Sequence, residues 1–268
     1  MNTRADALTN VRAIAFDLDG TLYLQGTPLP GAVTLLERLK ARGVPYLFMT
    51  NNSSVSKATY MQKLTPLAGS LQPDEVLTSN DVMVHHLLAG ELRRPYLLAT
   101  TEVREEYAAL GLAHHETDPD CVLLTFDMEL SFERIAAASR FIAGGLPYFA
   151  THPDVTCPIP GGFLPDAGSF IEMFAAATGR RPLILGKPNE ATVAAITARL
   201  NLPAEEIAFV GDRLATDIAM GISAGFVSVL TLTGVTTAGE AVVTNHKPTL
   251  TVSGMVEFAG LLTQAGIL

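Results

Sequence analysis

Asp17-Leu18-Asp19-Gly20-Thr21 sets two carboxylates at i and i+2 directly after the apolar run Val11 to Phe16. In such a pair one carboxylate can attack an electrophile while the other moves protons, and both can hold a hard cation. The plain alternative is an acidic turn in which Gly20 supplies a permissive backbone; the apolar run in front of the pair favours the chemical reading. Thr50-Asn51 closes a second apolar run, where a hydroxyl and exposed backbone N–H groups can hold anionic oxygens, or simply cap a helix or end the strand in a turn. Gly186-Lys187-Pro188 follows Leu183-Ile184-Leu185. A lysine there can neutralise crowded carboxylates and an anion, although most lysines lie in solvent. Gly211-Asp212, with Asp217 about one helical turn further on, follows another apolar run. Asp212 can ligate a cation that Asp217 supports, or can cap the next helix.

The elements that must position these residues alternate. Val11 to Phe16, Val44 to Met49, Tyr96 to Ala99, Cys121 to Phe126, Pro147 to Ala150, Leu183 to Leu185, Ile207 to Val210 and Val227 to Leu232 read as strands. Gly31 to Arg42, Lys57 to Leu67, a helix capped in Thr78–Asp81 and running to Leu92, Ser131 to Ala143, Ser169 to Thr178, Ala191 to Leu200, Leu214 to Ser223 and Val252 to Leu262 read as helices. In the Ser131 helix, Phe132, Ile135, Ala136 and Ser139 share one face. This rhythm predicts an α/β fold with a parallel sheet and helices on both sides. Open sheets of that kind bind ligands beyond the carboxyl ends of their strands, where all four stretches fall. The Pro/Gly-rich stretch Thr151 to Gly168 reads as a long ordered loop that buries Cys157, Ile159, Phe163 and Leu164.

Composition narrows the classes. Of 268 residues 48% are hydrophobic and 17% charged, which is globular. A net charge of -9 argues against nucleic acid and anionic membranes as partners. No run approaches the roughly 20 apolar residues of a membrane span. Met1 to Asn10 is polar and unlike a signal peptide. Cys121 and Cys157 read as reduced thiols, so the expected location is the cytoplasm. The adjacent pairs His85-His86 and His114-His115 lack zinc-site spacing. Neither G-x-S-x-G nor G-x-x-x-x-G-K-[ST] is present. Asp118-Pro119-Asp120 reads as a turn; Asp127, after an apolar strand, reads as a turn residue or one facing a ligand.

The order D-x-D-G-T, Thr, Lys-Pro, G-D-x-x-x-x-D resembles that of the haloacid dehalogenase (HAD) superfamily. Ala150-Thr151-His152-Pro153-Asp154 and Pro158…Gly162-Phe163-Leu164-Pro165-Asp166-Ala167-Gly168-Ser169 are similar to its NagD-like, p-nitrophenyl phosphatase branch. The resemblance implies a Rossmann-like parallel-sheet core with an inserted smaller α/β cap. Roughly 30 residues between Asp19 and Thr50 leave no room for a cap, whereas roughly 130 between Ser53 and Lys187 hold a C2-type one. The expected division is 1–85 with 183–268 as core and 86–182 as cap.

The resemblance further implies a phosphatase for a small phosphorylated metabolite: a sugar phosphate, nucleoside monophosphate, phosphoglycolate or pyridoxal phosphate. Asp17 would form an aspartyl-phosphate and Asp19 would act as acid and base. Thr50 and Lys187 would complete the catalytic set. Mg²⁺ would be held by Asp17, the main-chain oxygen of Asp19, and Asp212, with Asp217 in support. Gly20, Asn51, His152, Asp154 and Asp166 are the expected phosphate or substrate contacts, and a homodimer through the cap is the expected assembly. Asp19 argues for ester cleavage, because dehalogenases of this kind lack it. The chain departs from the branch at His152, where Asn is usual, and at Asp166, where Gly is usual. A binding protein without catalysis, and a phosphotransferase or mutase, are the competing readings.

Overall fold

The computed structural model describes residues 4–24, 26–159 and 161–268. The first residues of the polar N-terminal stretch, Gln25, and Pro160 within the Pro/Gly-rich stretch lie outside them. Among the described residues fourteen strands follow in chain order. They are β1 (Ala13–Phe16), β2 (Tyr23–Leu24), β3 (Thr27–Pro28), β4 (Tyr46–Thr50), β5 (Val76–Thr78), β6 (Pro95–Leu98), β7 (Cys121–Leu124), β8 (Tyr148–Ala150), β9 (Thr156–Ile159), β10 (Gly162–Pro165), β11 (Leu183–Ile184), β12 (Ile207–Gly211), β13 (Val227–Thr231) and β14 (Leu250–Val252). The helices are α1 (Ala32–Arg42), α2 (Lys57–Ala68), α3 (Ser79–Ala89), α4 (Thr101–Ala109), α5 (Phe132–Ala143), α6 (Ala167–Thr178), α7 (Glu190–Leu200), α8 (Ala219–Ala224), α9 (Ala238–Val243) and α10 (Met255–Gln264). Two compact units result: Met1–Thr50 with Met61–Leu77 and Val193–Leu268, and Asn51–Tyr60 with Thr78–Thr192.

The first unit is built on a six-stranded sheet in the order β14-β13-β12-β1-β4-β5. From β1 the chain steps outward through β4 to β5, then returns on the other side through β12 to β13 and β14. The order therefore reverses between β1 and β12, which makes that pair the topological switch point of the sheet. The two run parallel in the register Ala13↔Ile207 to Phe16↔Val210. Each is buried throughout, as a central strand covered on both faces requires. Among the covering helices, α1 buries Leu35, Leu36 and Leu39 at helical spacing and ends at Gly43, whose φ of 67° only glycine adopts freely.

The second unit carries a four-stranded parallel sheet, β11-β8-β7-β6. Its core joins Tyr96, Leu98, Val122, Leu124 and Tyr148 from the strands to Ile142 and Phe174 from α5 and α6.

Several local expectations are corrected. Thr151 to Gly168 is not a buried loop: it contains the antiparallel hairpin β9–β10, and Ile159, Phe163 and Leu164 are exposed on it. In α5 the buried face is Ala137, Ala138 and Ile142, with Phe132 82% exposed; the face follows the three- and four-residue steps that reach the sheet. Leu250 to Val252 is an edge strand, and the last helix starts only at Met255. The stretch after β12 is a five-residue π-helical turn, Leu214–Ile218, before α8 begins. Asp212 does not cap it: Arg213 holds the capping position, with no side-chain bond. Strand β5, the β2–β3 hairpin and α4 carry no clear periodic signal in the sequence.

Candidate active site

Three of the four chemical stretches leave neighbouring strands of the first unit at their carboxyl ends. Asp17 follows β1, Asp212 follows β12, and Thr50 ends β4, which pairs β1 on its other side. The Asp17 N–H donates to the Val210 carbonyl at 2.8 Å. This sheet register holds the backbone of the first aspartate beside the approach to the second. Asp17, Asp212 and Asp217 are all buried, and one carboxylate oxygen from each lies within 4.8 Å of the others. Thr21 Oγ1 donates to Asp17 Oδ2 at 3.1 Å, the Val235 N–H to Asp212 Oδ2 at 2.6 Å, and the Arg213 N–H to Asp217 Oδ2 at 3.0 Å.

The π-helical turn explains how Asp217 joins the group. The N–H groups of Asp217 and Ile218 both donate to the Arg213 carbonyl at 3.1 Å, and the widened turn brings the Asp217 carboxylate back to the Arg213 amide. Unit charges 4 Å apart repel by about 4 kcal/mol at an effective dielectric of 20. Three buried carboxylates at this spacing therefore call for a cation. The donor set is all carboxylate oxygen, which fits a hard divalent ion and not a soft one.

Glycines leave the space. A Cβ on Gly20, whose φ is 85°, would stand 2.6 Å from Asp212 Oδ2. One on Gly234 would overlap the same carboxylate, and one on Gly211 would overlap Asp217. Gly20 is tied by its own backbone as well, its N–H donating to the Tyr23 carbonyl at 2.8 Å and its carbonyl accepting from Thr233 Oγ1 at 2.6 Å. Asp19 stands apart from the three clustered carboxylates. It is exposed, accepts from the Tyr23 hydroxyl at 3.0 Å, and opens on a cavity of about 360 Å³ walled by Tyr23, Pro28, Lys63, Pro66 and Leu67. Thr21, Tyr23, Gly234 and Val235 were not assigned roles from the sequence. The available signal was Thr233-Gly234 just beyond an apolar strand, the pattern that Gly186 and Gly211 also follow.

The second unit brings together the remaining candidates. Asn51 is the hub. Its Oδ1 accepts the Lys187 N–H at 2.9 Å, while its Nδ2 donates to the Lys187 carbonyl at 3.2 Å and to Asp154 Oδ2 at 2.9 Å. The Asn51 carbonyl accepts from Ser79 Oγ at 2.6 Å. Lys187 is 1% exposed, and its peptide bond to Pro188 is cis. Gly186 is required in front of it, because a Cβ there would meet Asn51 Oδ1 at 2.8 Å and overlap the Thr151 carbonyl. His152 has no exposed surface. Its Nδ1 lies 3.2 Å from Asp154 Oδ2 and its Nε2 3.6 Å from Asp166 Oδ1. Asp166 is the N-cap of α6, accepting the Ala167 N–H at 2.6 Å. The two positions that depart from the branch pattern thus face one another.

Family models agree with this arrangement. One described as haloacid dehalogenase-like hydrolase matches residues 14–113, and one described as HAD-hydrolase-like matches 184–258. An acid sugar phosphatase of Staphylococcus haemolyticus is 30% identical over 90% of this chain and 93% of its own. The crystal structure of a 4-nitrophenylphosphatase from Thermotoga maritima superposes with a TM-score of 0.90 at 39% identity, covering 95% of this chain and 98% of that one. A glycerol phosphate phosphatase from Mycobacterium tuberculosis, solved in complex with calcium, superposes with a TM-score of 0.84 at 32% identity, covering 95% and 76%. The switch-point aspartates, the strand-end motifs and these likenesses together make the chain a member of the haloacid dehalogenase superfamily, in its NagD-like phosphatase branch, and a phosphoric monoester hydrolase.

Proposed function

We propose that this hydrolase cleaves a small-molecule phosphate monoester through an aspartyl-phosphate on Asp17, with Mg²⁺ as its metal. The observation that carries the reading is the buried group Asp17, Asp212 and Asp217, within 4.8 Å at the switch point of the sheet. Asp17, the main-chain oxygen of Asp19, and Asp212 would hold the ion, with Asp217 in support. When bound it would neutralise charge on the carboxylates and on the phosphoryl oxygens.

The protein's own groups would do the rest. The Asp17 carboxylate attacks phosphorus in line as the P–O bond to the leaving group breaks, and Asp19 gives its proton to that departing oxygen. Asp19 then takes a proton from water, whose oxygen attacks phosphorus, freeing phosphate and restoring Asp17. The Thr50 hydroxyl and the Asn51 N–H hold phosphoryl oxygens, and the Lys187 ammonium balances the charge that gathers there. The cavity beside Asp19 gives the leaving group room on the side from which its proton must come.

The names of the similar proteins, acid sugar phosphatase, glycerol phosphate phosphatase and, also at 30% identity, a 5'-nucleotidase of Bacillus subtilis, support sugar, polyol and nucleoside phosphates ahead of the phosphoglycolate and pyridoxal classes. The same proposal takes 86–182 as a cap that selects substrate and pairs two copies, in a cytoplasmic enzyme. Among the described residues no helix is long and apolar enough to cross a membrane.

The test is phosphate release from p-nitrophenyl phosphate and a panel of metabolite phosphates, with Mg²⁺ and with chelator. Metal-dependent release led by sugar, polyol or nucleoside phosphates is the expected result. Undiminished release by a folded Asp17→Asn variant would sink the mechanism. Transfer of phosphate to an added alcohol at the expense of water would replace hydrolysis by phosphotransfer.

A further inference from the structure

An imidazole buried between two carboxylates is an exacting arrangement. The ring presents one nitrogen to each carboxylate, Nδ1 at 3.2 Å from Asp154 Oδ2 and Nε2 at 3.6 Å from Asp166 Oδ1, and a buried carboxylate that loses its partner is strongly destabilising. His152, Asp154 and Asp166 therefore stand or fall as one group. One end of the group is anchored: Asp166 caps α6, a helix of 12 residues whose N-terminal dipole also favours the carboxylate. The other end reaches Asn51, because Asp154 Oδ2 accepts from Asn51 Nδ2 at 2.9 Å.

That contact and the Lys187 N–H together fix which way the Asn51 amide points. With the amide turned over, Oδ1 would face the Asp154 carboxylate, acceptor against acceptor. In the orientation present, Oδ1 receives the Lys187 N–H and Nδ2 reaches the Lys187 carbonyl, so the amide grips both polar groups of that residue's backbone. Gly186 and the Thr151 carbonyl close the space behind it.

We propose that His152 is a positioning residue: clamped between Asp154 and Asp166, it holds Asp154 against Asn51, and Asn51 in turn fixes the Lys187 backbone. The inference rests on the reading of Lys187 as the charge-balancing group. It assigns to His152 and Asp166 a role behind the site, in place of the substrate contact expected from the sequence.

Two variants test it. His152→Gln removes the ring but keeps polar atoms; Asp166→Asn removes one carboxylate while keeping a good N-cap. Each is expected to lower kcat roughly 10- to 100-fold, as small misplacements of catalytic groups do, with KM held within about twofold. Hydrogen exchange of the Lys187 amide is expected to quicken while amides in β6, β7 and β8 keep their protection. In a Lys187→Met background, His152→Gln is expected to add no further loss. Native kcat and native Lys187 exchange in both variants would overturn the proposal. So would exchange that quickens throughout the unit, or a loss from His152→Gln that is the same with and without Lys187. Should Lys187→Met alone keep full kcat, the role of Lys187 fails on its own evidence, before His152 is touched.

Discussion

Asp212 Oδ2 receives the Val235 N–H at 2.6 Å, which fastens the loop after β13 to the aspartate that follows β12. The neighbouring residue, Gly234, is where that loop lies against the carboxylate with no room for a side chain. Gly234→Ala is expected to push the loop off Asp212 at a cost of about 1–3 kcal/mol, the usual range for overpacking. It is also expected to weaken metal affinity roughly tenfold or more. Thermal melts and a Mg²⁺ titration of activity check the two effects separately.

Removing metal has a signature besides lost activity. An ion that binds only the folded chain at a hundred times its Kd adds about 2.7 kcal/mol. At this chain length that is roughly 5–10 °C in Tm. Chelation is expected to stop phosphate release and lower Tm by that amount, and Asp212→Asn is expected to erase most of the Tm difference.

Asp17→Asn is expected to cost a factor on the order of 10⁴ or more in kcat, as loss of a nucleophile does. In metal-free protein the same change removes one of three crowded charges, so its Tm is expected to equal or exceed that of the parent. A melt in chelator, run beside an activity assay, reads both.

Much of this site was legible because its residues sit where apolar runs stop. The stretches that end at Phe16, at Met49 and at Val210 are buried strands, and strand ends of a parallel sheet share one edge. What was not legible depends on partners distant in sequence. Val76–Thr78 and Leu250–Val252 are three-residue strands that exist only because β4 and β13 offer them an edge. The apolar residues of the β9–β10 hairpin suggest burial in the sequence, and yet Phe163 is 69% exposed. His152 and Asp166 stand apart in the sequence; nothing in their spacing says that the 13 intervening positions fold back to bring them within 3.6 Å. The role of Gly234 needs Asp212, which lies on a different strand end.

Glu106 offers a pH-dependent prediction. Burial raises its pKa, more than the Lys57 N–H it accepts at 2.8 Å and the Lys57 charge lower it, while Asp81 and Glu102 add to the rise. A carboxyl whose folded pKa lies above its unfolded value binds more protons when folded. Its contribution is therefore most favourable at low pH and declines as pH rises through that interval. Glu106→Gln keeps a carbonyl for Lys57 and drops the charge. Its Tm is expected to exceed that of the parent above the raised pKa, with the gap closing toward pH 4.5, the ordinary value. Melts across that range measure it.

Arg134 ties together several groups of the second unit. It pairs with buried Asp127 at 2.8 Å and donates to the carbonyls of Leu97 and Ala99, each at 3.0 Å. Burial raises the Asp127 pKa, and Arg134 is the chief influence against that rise. Arg134→Met is expected to cost about 3–5 kcal/mol by stranding the carboxylate. Adding Asp127→Asn is expected to recover part of it, which denaturant unfolding of the four members of the cycle will show.

The sheet order also governs how the chain comes together as it is made. Strand β1 meets β4 after roughly 30 residues but waits roughly 190 for β12, a separation that slows assembly because the intervening loop must close first. All four strands of the second sheet lie between Pro95 and Ile184 and can pair while β12 is still unsynthesised. A nascent chain halted before Ile207 would thus own one complete sheet and the first aspartate, yet neither Asp212 nor Asp217. The acidic cluster is completed late, and the exposed flank of β1 is the segment a growing chain must shelter until then.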